Sequence, residues 1–168
     1  ANKIPNSIGQ SCLTPLISVY GGVAGDATVT KVGDSEFWIV SSGIAERYQK
    51  RFFNSVELPP ETTFKSKTVD MCGFNIAGPK SREMLQRLSN QDLSNNNWPF
   101  MHSGQLSIAG VECLALRISF SGDLGWEIYC DAEYQEIIYK TLIKASIIEN
   151  GGPVGSRALM SLLSLIHI

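Results

Sequence analysis

The feature that most constrains the fold is a set of short β-branched and aromatic runs that turn-forming residues separate at close spacing. The runs ATVTKV (27–32) and EFWIVS (36–41) are separated by Gly33, Asp34 and Ser35. A connection this short joins antiparallel neighbours, because parallel strands need a crossover of about a dozen residues or more. The sequence therefore favours antiparallel strand pairs over a doubly wound parallel sheet.

The same arrangement recurs further along the chain. TTFKSKTVD and MCGFNIAG (62–78) are predicted to form a second strand pair, and residues 105–130 contain three more predicted strands. Each group is followed by a predicted helix, at 43–55, 78–89 and 131–148. The expected fold is α+β, with repeated strand-strand-helix units in which antiparallel strand pairs pack against helices.

Periodicity and capping residues support these helices. Ile44, Tyr48 and Phe52 recur at helical spacing, with charged residues between them. Pro79 stands at the first position of the second predicted helix, and Asp131 is placed to cap the third. The segment NNNWPF between the second helix and the following strands is predicted to be a loop.

Composition excludes several classes of function. The net charge is −2 and the Lys and Arg residues are scattered, so binding to nucleic acid is not indicated. No apolar run reaches the ~20 residues that a membrane-spanning helix needs, so no membrane association is expected. The four cysteines show no CxxC spacing, which favours reduced thiols of an intracellular protein over a disulfide framework or a metal site. Bacterial cytoplasm and mitochondrial matrix both suit such thiols.

The two ends of the chain differ from an ordinary domain. The chain begins at Ala1, which suggests that the true start lies upstream. The last six residues, LSLIHI, have no polar face, cap or stop signal and resemble a translated sequencing adapter. We therefore expect the domain to cover residues 1–162 and the tail at 163–168 to be non-native. Without His167, only His102 is left, and neither a Ser-His-Asp triad nor a histidine metal site can form.

A glycine-rich segment before a predicted strand is the first candidate for chemistry. Gly21, Gly22 and Gly25 precede Asp26, which stands directly before the run ATVTKV. Glycines allow backbone N–H groups and a short acid to approach a ligand closely. The alternative is a hairpin turn in which Asp26 bonds its own backbone. The segment is not a dinucleotide fingerprint, because a strand follows it instead of a helix.

The stretch SGDLGWEIY places an aromatic ring next to a carboxylate. Strand alternation puts Trp126 and Ile128 on one face and Glu127 and Tyr129 on the other. A carboxylate that faces a pocket could accept two parallel N–H bonds from a flat heterocycle such as a pterin. The alternative is a glutamate that faces solvent on a half-exposed strand.

The stretch GGPVGSRAL leads into a predicted helix with Arg157 near its start. A cation is poorly matched to the dipole at this end of a helix, so an anionic ligand or partner would help to explain it. One partly exposed arginine does not by itself identify a ligand.

Six separated segments, in the same order and spacing, closely resemble a known family. It is the folate-binding aminomethyltransferase domain of the dimethylglycine and sarcosine dehydrogenases, which is in turn similar to the T-protein of the glycine cleavage system. The segments are ANKIPNSIGQSCLTPLIS, GGVAGDATVTKVGDSEFWIVSSGIAERY, GFNIAGPKSREMLQRL, DLSNNNWPFM, LRISFSGDLGWEIY and GSRALMSL. The resemblance extends to Leu162.

The resemblance implies tetrahydrofolate as the cofactor. Asp26 matches the catalytic acid, Glu127 matches the carboxylate that clamps the pterin ring, and Arg157 matches an arginine of the folate site. Gly25, Trp126 and Tyr129 complete the predicted binding residues. FAD is expected only in a missing upstream domain, which would oxidise an N-methylated glycine to an iminium. Tetrahydrofolate would capture the iminium carbon as 5,10-methylenetetrahydrofolate, with Asp26 stabilising the cation and accepting a proton.

Two positions depart from the family pattern. Phe120 stands where many relatives have Tyr, so a phenol hydrogen bond is lost, and Asp123 is shorter than the usual Glu. Two other functions remain open on the sequence alone. One is a stand-alone T-protein-type aminomethyl or methyl transferase, and the other is a folate-binding module without catalysis, in which replacing Asp26 would leave function unchanged.

Overall fold

Two antiparallel sheets organise the chain, one in each of two units, Ala1–Val69 and Asp70–Ile168. The computed structural model describes residues 4–162, so the tail predicted to be non-native, 163–168, lies outside the described residues. All strand pairs in the described residues are antiparallel, which confirms the predicted α+β class.

The first unit contains a three-stranded sheet and one α-helix. Its strands, in the order β1-β2-β3, are β1 (Ser11–Ile17), β2 (Val23–Lys31) and β3 (Phe37–Ser41). The predicted β2–β3 hairpin is confirmed. Strand β1 was not predicted, because Pro15 interrupts its pattern. Proline is tolerated there since β1 is the edge of this sheet and pairs only with β2.

Helix α1 (Glu46–Asn54) follows a short 3₁₀ turn and confirms the first predicted helix. The residues whose helical spacing predicted this helix do not form a buried face. Ile44 lies fully exposed before the helix, and Tyr48 is half exposed. The buried residue of α1 is Gln49, whose Oε1 accepts a hydrogen bond from the Ser41 hydroxyl of β3. The Gln49 amide lies so close to Gly25 of β2 that a Cβ there would be 3.3 Å from Nε2.

The strand predicted at residues 62–70 is wrong. This segment is irregular, and the segment that follows it, β4 (Met71–Ala77), pairs with a later strand of the second unit instead. The segment's own side chains bind α1: the Phe64 ring lies 4.9 Å from that of Phe53, and Ser66 Oγ donates to Glu46 Oε1 at 3.0 Å. Consequently α2 follows a single strand, and the predicted strand-strand-helix repeat is not kept there.

The second unit contains a four-stranded sheet in the order β4-β7-β6-β5. The three strands predicted between 105 and 130 are confirmed as a meander of β5, β6 and β7. The elements after β4 are α2 (Ser81–Gln86), β5 (Ser103–Ile108), β6 (Val111–Leu116), β7 (Gly125–Asp131), α3 (Gln135–Ile148) and α4 (Ser156–Leu162).

One face of this sheet packs against α2 and α3 and forms a hydrophobic core. The side chains that are fully buried in it include Leu85, Leu106, Trp126, Ile128 and Ile138. Burying each such side chain contributes about 1.5–3 kcal/mol to stability. This core fixes the position of β7, which lies between β4 and β6.

The helix starts in this unit differ in detail from the prediction. Helix α2 begins at Ser81, and the Ser81 hydroxyl donates to the carbonyls of Gly78 at 2.7 Å and Leu124 at 2.8 Å. The predicted cap at Asp131 is wrong, because Asp131 precedes a 3₁₀ turn and its side chain makes no capping hydrogen bond. Helix α3 begins four residues later than the predicted start, at Gln135.

Cys72, Cys113 and Cys130 are thiols that form no disulfide within the described residues. Cys113 and Cys130 are buried, whereas Cys12 and Cys72 are partly buried. Burial raises the pKa of the Cys113 thiol to about 11, which keeps it protonated and unreactive. None of the helices in residues 4–162 has the length and apolar character needed to cross a membrane.

Candidate functional site

Strand β7 presents two different faces. Trp126 and Ile128 lie fully buried in the core, whereas Glu127 and Tyr129 point to the other face of the sheet and are partly buried. This is the alternation that the sequence predicted. Glu127 is paired with Asn75 of β4 on one side. A carboxylate is therefore held in the middle of a sheet, on a strand that the core positions from behind.

Tyr129 and Glu127 form a hydrogen-bonded pair. The Tyr129 hydroxyl donates to Glu127 Oε2 at 2.6 Å. The ring reaches this position because it lies over Gly73, which is directly opposite Tyr129 on β4. A Cβ at Gly73 would be 2.7 Å from the ring, so any larger residue there would push the ring away. Gly73 thus sets the geometry of the pair.

The electrostatics of the pair follow from its burial. Burial raises the pKa of Glu127 above its ordinary value, and the hydrogen bond from Tyr129 opposes this shift. Burial and the neighbouring carboxylate both raise the pKa of Tyr129, so the phenol keeps its proton and remains a donor. A desolvated carboxylate of this kind interacts more strongly with a ligand N–H than an exposed one does.

Glu127 retains capacity for a ligand. Within the described residues, only Oε2 accepts a hydrogen bond, and a carboxylate offers about four lone-pair positions. The β4 residues beside it, Gly73, Asn75 and Ala77, are exposed, so this face of the strand pair is accessible. The carboxylate can therefore accept two parallel N–H bonds, as a flat amino-substituted heterocycle would require.

Asp26 lies in the first unit, on β2. It is paired with Pro15 of β1, and its side chain is exposed, with no hydrogen bond or ion pair to any residue in 4–162. The chain turn is made by residues 18–22, where Gly21 has a φ of 80°. Asp26 therefore stands in a strand rather than in the turn, and the alternative in which it bonds its own backbone is wrong.

The remaining predicted residues lie apart from the Glu127–Tyr129 pair. Gly25 is beside Asp26 and packs against Gln49. Trp126 faces the core, so its ring lies behind the sheet and not beside Glu127. Arg157 is the second residue of α4 and is exposed, and no side-chain partner holds it in the part of the chain that the structure describes.

Gly73 was not recognised as a site residue from the sequence. A glycine inside a strand pattern signals a bulge or a close approach of another group. That signal was present in MCGFNIAG, but the identity of the approaching group depends on the β4–β7 register. Only the structure shows that this group is the ring of Tyr129.

The family described as the GCVT N-terminal domain matches residues 1–163 of this chain. The chain belongs to this family. The GCVT match covers both units and both predicted carboxylates, Asp26 and Glu127. The family assignment agrees with the resemblance that the six sequence segments indicated.

Curated relatives of this GCVT chain are amine dehydrogenases and aminomethyltransferases. Human mitochondrial dimethylglycine dehydrogenase is 27% identical over 164 residues, which cover 96% of this chain and 19% of the relative. An aminomethyltransferase of Thermoanaerobacter sp. is 27% identical over 135 residues, covering 80% of this chain and 36% of the relative. The chain thus spans about a fifth of the length of the dehydrogenases it matches.

A solved structure supports the fold. The heterotetrameric sarcosine oxidase from Corynebacterium sp. U-96, in complex with pyrrole 2-carboxylate, matches with a TM-score of 0.64 and 19% sequence identity. The match covers 90% of this chain and 71% of that one. The arrangement of strands and helices in this GCVT chain therefore occurs in an experimentally determined structure.

Proposed function

We propose that this chain is a tetrahydrofolate-binding, one-carbon transfer domain of a flavin-dependent enzyme related to dimethylglycine and sarcosine dehydrogenases. The observation that carries the proposal is Glu127, a partly buried carboxylate with unused acceptor capacity on a strand that packs against the hydrophobic core. The amino group and the adjacent ring N–H of a pterin match this acceptor in number and spacing. The family assignment supports the same ligand.

Four of the predicted binding residues have an assigned role in this proposal. Glu127 accepts the N–H groups of the pterin, and Tyr129 holds the carboxylate by its hydrogen bond. Trp126 is buried on the opposite face of the sheet and fixes the position of β7. Arg157, which is exposed on α4, provides a cation for an anionic part of the ligand.

When bound, tetrahydrofolate supplies the two nitrogens that become joined to the transferred carbon in 5,10-methylenetetrahydrofolate. The Asp26 carboxylate stabilises the positive charge of an incoming iminium and accepts the proton that the attacking nitrogen loses. One proton leaves each folate nitrogen, and the released amine takes up one of the two. General-base assistance of this kind contributes about 10²–10⁴-fold to a rate. The iminium would be formed in a flavin domain outside this chain.

Binding is the first test. The 168-residue chain is titrated with 5-formyltetrahydrofolate, a stable reduced folate, in an isothermal calorimeter. Glu127→Gln removes the charge and turns an acceptor into a donor at nearly constant size. We expect it to weaken binding roughly tenfold to a hundredfold, as the loss of a charge-assisted hydrogen bond does.

Glu112→Gln is the matched control, because Glu112 is an exposed glutamate on β6 of the same sheet. It should bind as the unsubstituted chain does. Equal affinities for the Glu127 and Glu112 variants, or no binding by a chain whose circular dichroism shows it to be folded, would contradict the proposal.

The role of Asp26 gives a separate prediction. Asp26→Asn should leave the affinity for 5-formyltetrahydrofolate within about threefold, because the carboxylate is assigned to the reacting carbon and not to the pterin. In the complete flavin-containing enzyme, the same change should lower formation of 5,10-methylenetetrahydrofolate by about 10²-fold or more. Unchanged product formation would favour a binding module without catalysis at this residue.

A further inference from the structure

Three buried side-chain donors have no hydrogen-bond partner in the part of the chain that the structure describes. They are Arg82 Nε, Arg117 Nε and Trp126 Nε1. Buried polar groups in proteins are nearly always paired, so each exception calls for an explanation. All three are N–H donors, and all three belong to the second unit. Their shared character indicates that the missing partner is an acceptor.

The three donors belong to one cluster. The guanidinium carbon of Arg82 lies 5.7 Å from the centroid of the Trp126 ring, and that of Arg117 lies 5.6 Å from it. Arg82 comes from α2, Arg117 follows β6, and Trp126 is on β7. Both arginines interact with the indole ring, but a cation–π contact leaves the N–H groups without an acceptor.

The cluster carries two positive charges for which the described residues provide no counterion. The basic residues that form ion pairs in residues 4–162 are Lys50, Lys80, Arg87 and Lys140. Arg82 and Arg117 are partly buried and pair with no carboxylate there. Burial and, secondarily, the charge of Arg82 lower the pKa of Arg117. An anion bound near both guanidinium groups would offset these unfavourable contributions.

Other contacts hold the donors in place. Arg82 Nη2 donates to Asn95 Oδ1 at 2.6 Å. The backbone of Arg117 is fixed on both sides, since its N–H donates to the His102 carbonyl at 2.7 Å and its carbonyl accepts from Met101 N at 3.1 Å. Trp126 is fully buried. Arg82 and Trp126 therefore stand on regular elements, and the backbone of Arg117 is held directly after β6. Donors placed in this way need less ordering around a ligand.

We propose that Arg82, Arg117 and Trp126 form a binding site for a small oxyanion, a carboxylate or phosphate group. Its oxygens accept the orphan N–H groups, and its charge neutralises the two guanidinium groups. Because Trp126 and Glu127 alternate on β7, the site lies on the opposite face of the sheet from Glu127. It is independent of the folate site proposed above.

The test observes the orphan donors directly. In ¹H–¹⁵N spectra of the whole chain, the Trp126 indole N–H and the two arginine Nε–H signals are followed during separate titrations. The probes are sodium phosphate and sodium acetate, each at constant ionic strength maintained with sodium chloride. We expect saturable shifts of these signals with at least one of the two oxyanions and none with chloride alone.

Two variants make the test specific. Arg117→Gln removes one guanidinium group and should weaken binding of the effective anion roughly tenfold or more. Arg87→Gln is the matched control, because Arg87 is an exposed arginine of the same unit that pairs with Glu149 at 2.8 Å. It should leave the titration of the Trp126 indole unchanged. If Arg117→Gln does not fold, Arg117→Lys keeps the charge, removes the planar fork, and should weaken binding in the same direction.

The outcomes separate the possible sources of the anion. Saturation with phosphate alone identifies a phosphate-bearing ligand, and saturation with acetate alone identifies a carboxylate. Saturation with both supports a site that selects oxyanions in general. Shifts that chloride reproduces, or that persist unchanged in the Arg117 variants, would overturn the proposal and indicate that water satisfies the three donors.

Discussion

The two predicted carboxylates stand on sheets of different construction. Glu127 lies on a strand whose other face is buried in a continuous hydrophobic core, which includes the fully buried Trp126 and Ile128. Asp26 lies on β2, where the buried neighbours are small or polar. The buried residues of the first unit, within its described range 4–69, are Pro5, Gly9, Ser11, Leu16, Ala27, Thr30 and Gln49.

This difference shows how the surroundings of each carboxylate determine its exposure to water. Packing fixes Glu127 and partly removes it from water. This burial raises the pKa of the carboxylate without any ligand. Asp26 is exposed, and its sheet depends on hydrogen bonds such as the one between Ser11 and Thr30 at 2.8 Å. A ligand must therefore exclude water from Asp26, whereas Glu127 is already partly desolvated before the ligand arrives.

The largest expected effect is a loss of stability when a buried apolar side chain is shortened, and it should differ between the two units. Leu85→Ala in α2 removes a side chain with 0% exposure and should destabilise the second unit by about 2–5 kcal/mol. Leu16→Ala is the counterpart in the first unit and should cost less, because Ala27 is the other buried hydrophobic residue in the described part of this unit. Hydrogen exchange measured by mass spectrometry reports each unit separately. Comparable losses of stability in both units would contradict the claim that only the second unit depends on a large apolar core.

A change in the first unit should show its dependence on polar contacts. Thr30→Val keeps the side-chain shape but leaves the buried Ser11 hydroxyl without its partner, which should cost about 1–3 kcal/mol. The double variant with Ser11→Ala should recover part of that loss, since no unpaired group then remains. Additive losses in urea unfolding would contradict a direct interaction between the two hydroxyls.

The smallest expected effect is a pH-dependent loss of stability when the hydrogen bond between Tyr129 and Glu127 is removed. The folded-state pKa of Glu127 is raised, so protonation of Glu127 favours the folded state. Its contribution to the free energy of unfolding is complete below the unfolded-state pKa and is lost as the pH rises through the folded-state pKa. Tyr129→Phe removes the hydrogen bond to the ionised form and should raise this pKa further. At neutral pH the variant should lose about 1 kcal/mol, and less where Glu127 is protonated.

Urea unfolding at a series of pH values measures this dependence. Tyr20→Phe is the control, because Tyr20 is 95% exposed in the turn of the first unit. Its stability should match that of the unsubstituted chain at every pH. A Tyr129→Phe loss that does not change with pH would mean that the phenol stabilises packing and not the carboxylate.

Local patterns predicted most strands and helices because their signals are contained within a few residues. The β2–β3 hairpin and the β5–β6–β7 meander followed from β-branched runs and turn residues. Strand β1 was missed because Pro15 demotes a run, and only its place at the sheet edge makes proline acceptable. The strand at 62–70 was predicted wrongly, because alternation does not tell whether a partner strand is available.

Sequence alternation predicted part of the geometry around Glu127. Alternation placed Glu127 and Tyr129 on one face, and the structure adds that Gly73 makes room for their hydrogen bond. The cluster of Arg82, Arg117 and Trp126 could not be predicted, because its members are far apart in sequence and meet only through the packing of α2, β6 and β7. Pairings of this kind depend on tertiary structure alone.

The most direct test of the central claim is the titration of the Glu127 carboxyl carbon by ¹³C nuclear magnetic resonance, with and without saturating 5-formyltetrahydrofolate. Without ligand, we predict a pKa above the ordinary value for glutamate, because burial disfavours the charged form. With ligand, the pKa should fall, since pterin N–H groups would stabilise the carboxylate. An unchanged Glu127 pKa in a chain saturated with the ligand would contradict the account, because the folate would then be bound elsewhere.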